Sequence, residues 1–270
     1  MVGKLFKHEI KYYLRSILFV EIILMAVALV TRLIQFLEFD SVVYDIVFGS
    51  SVIMLAISMS ASIFMIVLLG VVRFYKNLFT HEGYLSFTLP VTATQQLFVK
   101  ITTYMMFMAL TIVSLFVAFS IATFGEVFWE ISKAGIYLLN RAGDAVGNIN
   151  LTLYILEFAL LLFVTVVHQM LTYYLCMSVG QLTGKNRIWL SIGVYFGIYV
   201  ITQVFETILV VIYSLLQSAN ALDVIIEFIG DYPKECLHFG LCFGIVFYAV
   251  LGGAYFLISR YIMNRKLNLE

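Results

Sequence analysis

The chain has 270 residues, of which 63% are hydrophobic and 12% are charged, and its formal net charge is zero. Soluble domains carry about 25% charged residues, so this composition excludes an ordinary soluble protein. A mean hydropathy of +1.02 indicates an integral membrane protein, and the balanced charge gives no reason to expect a nucleic-acid partner.

The N-terminal segment, residues 1–15, places basic and apolar residues on opposite sides of a helix. The basic side holds Lys4, Lys7, His8, Lys11 and Arg15, and the apolar side holds Leu5, Phe6, Ile10, Tyr13 and Leu14. This pattern predicts an amphipathic helix on the inner leaflet, with its lysines facing anionic headgroups. A basic cluster that only orients the first span is the alternative.

Six apolar runs are each long enough to cross the roughly 30 Å hydrocarbon core as a helix. They cover residues 16–37, 47–72, 97–124, 151–180, 188–216 and 238–263. The segments between them have too few residues for an independent core. We therefore expect an all-α polytopic membrane protein with a single transmembrane domain over residues 1–270.

Basic residues predict which side of the membrane each connection faces. If the N-terminus is inside, all but four of the 16 Lys and Arg residues lie on the cytoplasmic side; the exceptions are Arg32, Lys133, Arg141 and Lys234. Short connections rich in Lys and Arg stay in the cytoplasm. We expect a multi-pass protein of a bacterial plasma membrane with both termini in the cytoplasm.

The segment 73–96, between the second and third runs, puts aromatic and apolar residues on that cytoplasmic side. Its sequence is RFYKNLFTHEGYLSFTLPVTATQQ. Full burial of one large apolar side chain contributes about 1.5–3 kcal/mol, so Tyr84, Phe87 and Leu89 together could anchor a protein partner. The alternative is an interfacial segment that buries the same side chains among lipid headgroups.

The local chemistry of this segment predicts a short, bent connection. Gly83 permits a sharp bend, and Pro90 prevents the continuation of a preceding helix. Thr92 followed by Gln95 fits a capping box that would open the third span.

The ionisable residues inside the apolar runs include Glu21, Arg32, Glu157 and Glu206. An unpaired charge at the bilayer centre costs at least about 2.5–3.5 kcal/mol, so these side chains should pair or face water. Arg32, Glu157 and Glu206 all fall in the outer half of their spans, so we expect Arg32 to pair with one of the two acids. Such a bridge could serve gating or substrate binding, or could only hold helices together.

Two outer segments carry an amphipathic helical pattern of their own, at residues 128–139 and 222–229. They predict short re-entrant or interfacial helices. Their role could be that of an outer gate, a ligand cap or a simple cover for the end of the bundle.

Neither the cysteines nor the histidines show a metal-binding spacing. The cysteines, Cys176, Cys236 and Cys242, show no paired metal-ligand spacing, and the histidines are scattered along the chain. We therefore expect no metal site, no cofactor and no catalytic residue in this chain.

Two short words within the segment 73–96 resemble a known family. Glu82-Gly83-Tyr84-Leu85 and Thr88-Leu89-Pro90-Val91, with the six spans and the basic start, resemble the ABC-2 type transporter permeases, in particular the small six-span permeases of Gram-positive bacteria. In similar proteins these words lie in the first cytoplasmic loop, which contacts the ATPase.

The resemblance implies a permease subunit of an ATP-driven transporter, an exporter, that works with a second permease copy or paralogue and with a cytosolic ATPase carrying ATP and magnesium. The coupling residues it implies are Glu82, Gly83, Tyr84, Leu85, Phe87, Leu89 and Pro90. A membrane sensor or an assembly scaffold that recruits a cytosolic partner is the alternative.

Overall fold

The structure is a computed structural model that describes residues 2–37, 42–79, 91–146, 151–183, 186–218 and 231–265. Its helices are α1 (Val2–Gln35), α2 (Val42–Phe79), α3 (Ala93–Thr123), α4 (Glu126–Val146), α5 (Leu151–Gly180), α6 (Arg187–Ser218) and α7 (Pro233–Arg265). The residues in this part of the chain form no strand. The all-α fold class is confirmed.

Six of these helices, all except α4, are long and apolar enough to cross a membrane. The bounds of α5 agree with the apolar run, but α2 extends to Phe79 and α3 begins at Ala93. Hydropathy marks where the apolar side chains stop, whereas a helix ends where its backbone hydrogen bonds stop. Much of the predicted connection 73–96 is therefore helix.

The basic N-terminal segment and the first span form one uninterrupted helix. The buried residues of α1 are Glu9, Tyr13, Ile17, Glu21, Leu24, Ala28 and Thr31. Steps of three and four residues place them on one face, and that face packs against protein along the whole helix. The separate amphipathic helix predicted for residues 1–15 is not confirmed.

The contacts divide the chain into two compact units, residues 1–138 and 139–270. In the first unit, α1 packs against both α2 and α3, and α2 also packs against α3. Small residues, Ala28 on α1 with Ala118 and Ala122 on α3, lie buried where these helices meet and allow close backbone approach. Whether the two units form the single domain expected from the sequence stays a prediction.

In the second unit, α5 packs against both α6 and α7. The ring of His168 on α5 packs against two tyrosines of α7, with centroid distances of 5.3 Å to Tyr248 and 5.2 Å to Tyr255. The turn into α6 demands a glycine at position 180, since an added Cβ would overlap the Ser191 side chain and lie 2.7 Å from the Arg187 carbonyl oxygen.

The first of the two predicted outer segments is a helix, α4, of 21 residues. Its sequence crosses the boundary between the units at residue 138. The second, at 222–229, lies outside the described residues. The role of either segment is untested.

Candidate functional site

The predicted coupling residues lie outside the described part of the chain. They are Glu82, Gly83, Tyr84, Leu85, Phe87, Leu89 and Pro90. What the structure describes are the two helix ends that carry this segment, the end of α2 and the start of α3.

The start of α3 is closed by the capping box that the sequence predicts. The Gln95 backbone N–H donates to Thr92 Oγ1 at 3.3 Å, and the Thr92 backbone N–H donates to Gln95 Oε1 at 3.1 Å. Two N–H groups that the helix cannot satisfy are thereby bonded. The first turn of α3 is consequently fixed immediately after the segment 80–92 ends.

A buried charge cluster joins α1, α2 and α3. Arg73 Nε on α2 donates to Glu9 Oε2 on α1 at 2.9 Å, and Lys100 Nζ on α3 donates to Glu9 Oε1 at 3.0 Å. The exposed fractions are 0% for Glu9, 5% for Arg73 and 3% for Lys100. We call these three residues the base cluster.

The base cluster engages both oxygens of one carboxylate with two cations. Arg73 makes two further contacts with α1: its Nη2 lies 3.1 Å from His8 Nδ1, and its Cζ lies 4.3 Å from the centroid of the Tyr12 ring. A planar guanidinium suits this combination of a carboxylate and an aromatic face. Charges buried at this depth persist only when they are paired and hydrogen-bonded.

Aromatic and aliphatic packing keeps water away from the base cluster. Tyr13, one turn after Glu9, is 1% exposed and stacks on Phe107 of α3 at a centroid distance of 5.3 Å. Phe74, next to Arg73 in the sequence, and Leu97, about one turn before Lys100, are fully buried. Coulomb attraction is stronger in such a surrounding than in water.

Glu9 is a functional candidate that no local sequence pattern marks. It lies among basic residues, and only its position four residues before Tyr13 and eight before Ile17 places it on the buried stripe of α1. In the sequence, Arg73 and Lys100 are recognisable only as basic residues of the predicted cytoplasmic side. Their pairing with Glu9 depends on the register between helices, which one sequence does not reveal.

Glu21 lies on the same buried stripe and meets α3. Its Oε2 contacts the Ser114 hydroxyl, whose oxygen is also 2.8 Å from the Thr111 carbonyl oxygen of its own helix. Other hydroxyls of this span, Thr103 and Ser120, donate to backbone carbonyls one turn earlier. Ser114 therefore stands out among them by reaching an ionisable side chain of another helix.

Arg32 lies where α1 and α3 both end. Its Nη1 donates to Gln35 Oε1 at 2.7 Å, and Gln35 Nε2 donates to the Ala122 carbonyl oxygen at 2.8 Å. Its Cζ lies 4.6 Å from the Phe36 ring and 6.0 Å from the Phe124 ring. Helix C-termini carry partial negative charge, so this position favours a guanidinium.

The two acids predicted as partners of Arg32 both contact residues of the second unit. Glu157 Oε1 is 2.6 Å from His238 Nδ1 on α7, and Glu206 Oε2 accepts from Gln203 Nε2 at 3.1 Å. A bridge from Arg32 to either acid would join the two units, and it stays a prediction.

No family model, no curated protein and no solved structure matches this chain. The fold and the base cluster define a helical protein with six candidate membrane spans. In it, both helices that carry the segment 80–92 are ion-paired to α1.

Proposed function

We propose that this chain is the permease subunit of an ATP-driven exporter, and that a cytosolic ATPase docks on the segment 80–92. The observation that carries the proposal is the base cluster. Arg73 lies six residues before the end of α2 and Lys100 lies seven residues after the start of α3, about 9–11 Å along each helix at 1.5 Å per residue. Both are bonded to one carboxylate of α1.

This arrangement suits the transmission of force. A partner that moves the segment 80–92 moves the ends of α2 and α3, since the chain connects them directly. The base cluster then transfers the displacement to α1, because separating the helices would strip two buried cations of their carboxylate. Helices α1, α2 and α3 then respond together.

The docking chemistry is apolar. Tyr84, Phe87 and Leu89 would bury their side chains against the ATPase, with Gly83 and Pro90 setting the bend of the segment. ATP and magnesium belong to the partner, and this chain contributes no catalytic residue. In the proposed assembly the chain lies in the bacterial plasma membrane with both termini in the cytoplasm, beside a second permease copy or paralogue.

The test is the ATPase activity that co-purifies with the tagged full-length chain from its native host. Phe87→Ala should lose this activity, since it removes an apolar anchor, whereas Phe98→Ala on α3 should keep it. Phe98 is 65% exposed and lies beyond the docking segment. Equal activity in both variants would contradict docking, and a bound partner without ATP hydrolysis would favour the sensor or scaffold.

A further inference from the structure

Three metal-ligating side chains converge between α5 and α7 in the second unit. Glu157, His238 and Cys242 each offer one ligand atom, and these atoms all lie within 4.8 Å of one another. His238 Nδ1 is 2.6 Å from Glu157 Oε1. Cys242 Sγ lies 3.8 Å from His238 Nε2 and 4.0 Å from Nδ1.

Helix geometry explains the convergence. His238 and Cys242 are four residues apart on α7, so they share one face. The register of α5 against α7 is fixed on both sides of the three residues. On one side, the Tyr154 hydroxyl donates to the Lys234 carbonyl oxygen at 3.0 Å.

On the other side of the three residues the two helices approach closely. A Cβ added to Gly244 would lie 3.1 Å from Leu161 Cδ1, a distance tighter than ordinary van der Waals contact. The three ligating side chains are thus placed by helix packing rather than by a mobile connection.

One carboxylate oxygen of this cluster lacks a hydrogen-bond donor among the described residues. Glu157 Oε2 is buried and has no hydrogen-bond partner among the described residues, while Oε1 faces His238. Buried carboxylate oxygens normally have a partner, and one without calls for a bound species or a hydrogen-bond donor. A cation held beside His238 and Cys242 would interact with both oxygens.

We propose that Glu157, His238 and Cys242 form a binding site for a thiophilic divalent cation of the zinc class. One carboxylate, one imidazole and one thiolate are all zinc ligands, and the nitrogen and sulfur donors favour zinc over magnesium or calcium. Tetrahedral zinc holds such donor atoms about 3.4–3.6 Å apart. To reach these values, the 2.6 Å pair of Glu157 Oε1 and His238 Nδ1 must open by about 1 Å and the 4.0 Å pair of His238 Nδ1 and Cys242 Sγ must close by about 0.5 Å.

Binding exchanges protons for the metal. The cation replaces the proton between His238 Nδ1 and Glu157 Oε1, which passes to His238 Nε2 or to solvent. The Cys242 thiol releases its proton to solvent as it becomes a thiolate ligand. The fourth coordination position is left to water. The metal would bridge α5 to α7, and the inference stands whether or not the chain couples to an ATPase.

The first experiment uses cobalt as a spectroscopic probe of the full-length chain in detergent, after treatment with chelator and reductant. We expect a saturable thiolate-to-cobalt charge-transfer band at one equivalent, displaced by zinc. Cys242→Ser should abolish the band, and His238→Ala and Glu157→Gln should weaken binding at least about tenfold, the loss typical of removing even an outer-shell partner. Cys236→Ser is the matched control and should leave the band unchanged.

The second experiment needs no variant, so failure of a variant to fold does not affect it. Cys236 and Cys242 are both free and half-buried, and zinc should slow maleimide modification of Cys242 at least about tenfold while leaving Cys236 unchanged. Equal modification of Cys242 with and without zinc would overturn the site. A cobalt band that persists in Cys242→Ser, or is missing from the unchanged chain, would do the same.

Discussion

Glu9→Gln is the sharpest perturbation of the base cluster. The amide has nearly the volume of the carboxylate, so packing changes little while Arg73 and Lys100 lose their counter-charge. Glu9 is fully buried and both cations are at most 5% exposed, so solvent cannot replace the lost carboxylate. Breaking a buried pair by removing one partner costs about 3–5 kcal/mol, and we expect the free energy of unfolding to fall by that amount.

The assay is reversible unfolding of the purified chain in mixed detergent micelles, followed by helical circular dichroism. Glu130→Gln is the matched control, since Glu130 is exposed on α4 and should change stability by no more than about 0.5 kcal/mol. A change below about 1 kcal/mol in Glu9→Gln would refute the electrostatic account of the cluster.

Two further substitutions test the packing, one in each unit. In the second unit, Gly180→Ala should sharply reduce the folded yield of the chain, measured by size-exclusion chromatography, because its Cβ would meet the backbone of Arg187. Gly193→Ala is the control and should leave the yield unchanged, since a Cβ there meets nothing within 4 Å. Ser114→Ala should lower the free energy of unfolding by about 1–3 kcal/mol, the cost of leaving the buried Glu21 acceptor without a partner. Ser120→Ala, whose hydroxyl bonds only backbone, should be neutral, and equal losses in both serine variants would refute the role of Ser114.

The sequence predicts the helices well because membrane insertion demands long apolar runs. It places α5 at its observed bounds and predicts the Thr92–Gln95 cap, since both depend on residues close in the chain. The apolar run ends at Val72, seven residues before the end of α2. A charged residue such as Arg73 indicates the end of a span when its buried partner is unknown. Local composition cannot show that a charged residue continues a helix.

Which side chains form a cluster depends on which helix faces pack together, and a single sequence does not reveal that packing. Glu9 lies 64 residues from Arg73 and 91 from Lys100, and no local pattern connects them. For the same reason, the spacing of the histidines and cysteines in the sequence shows no metal site. His238 and Cys242 share a face of α7, but only the register of α5 brings Glu157 to them.

The proposed docking of an ATPase on the segment 80–92, with transfer of its motion to the helices, is tested most directly by ATP hydrolysis. The rate is measured for the complex of this chain and its partner in proteoliposomes and compared for Phe87→Ala and Glu82→Gln. We expect Phe87→Ala to insert normally but lose partner-dependent hydrolysis. Glu82→Gln should retain it, since a rim charge contributes typically under about 1 kcal/mol. Full hydrolysis in both variants would contradict the account.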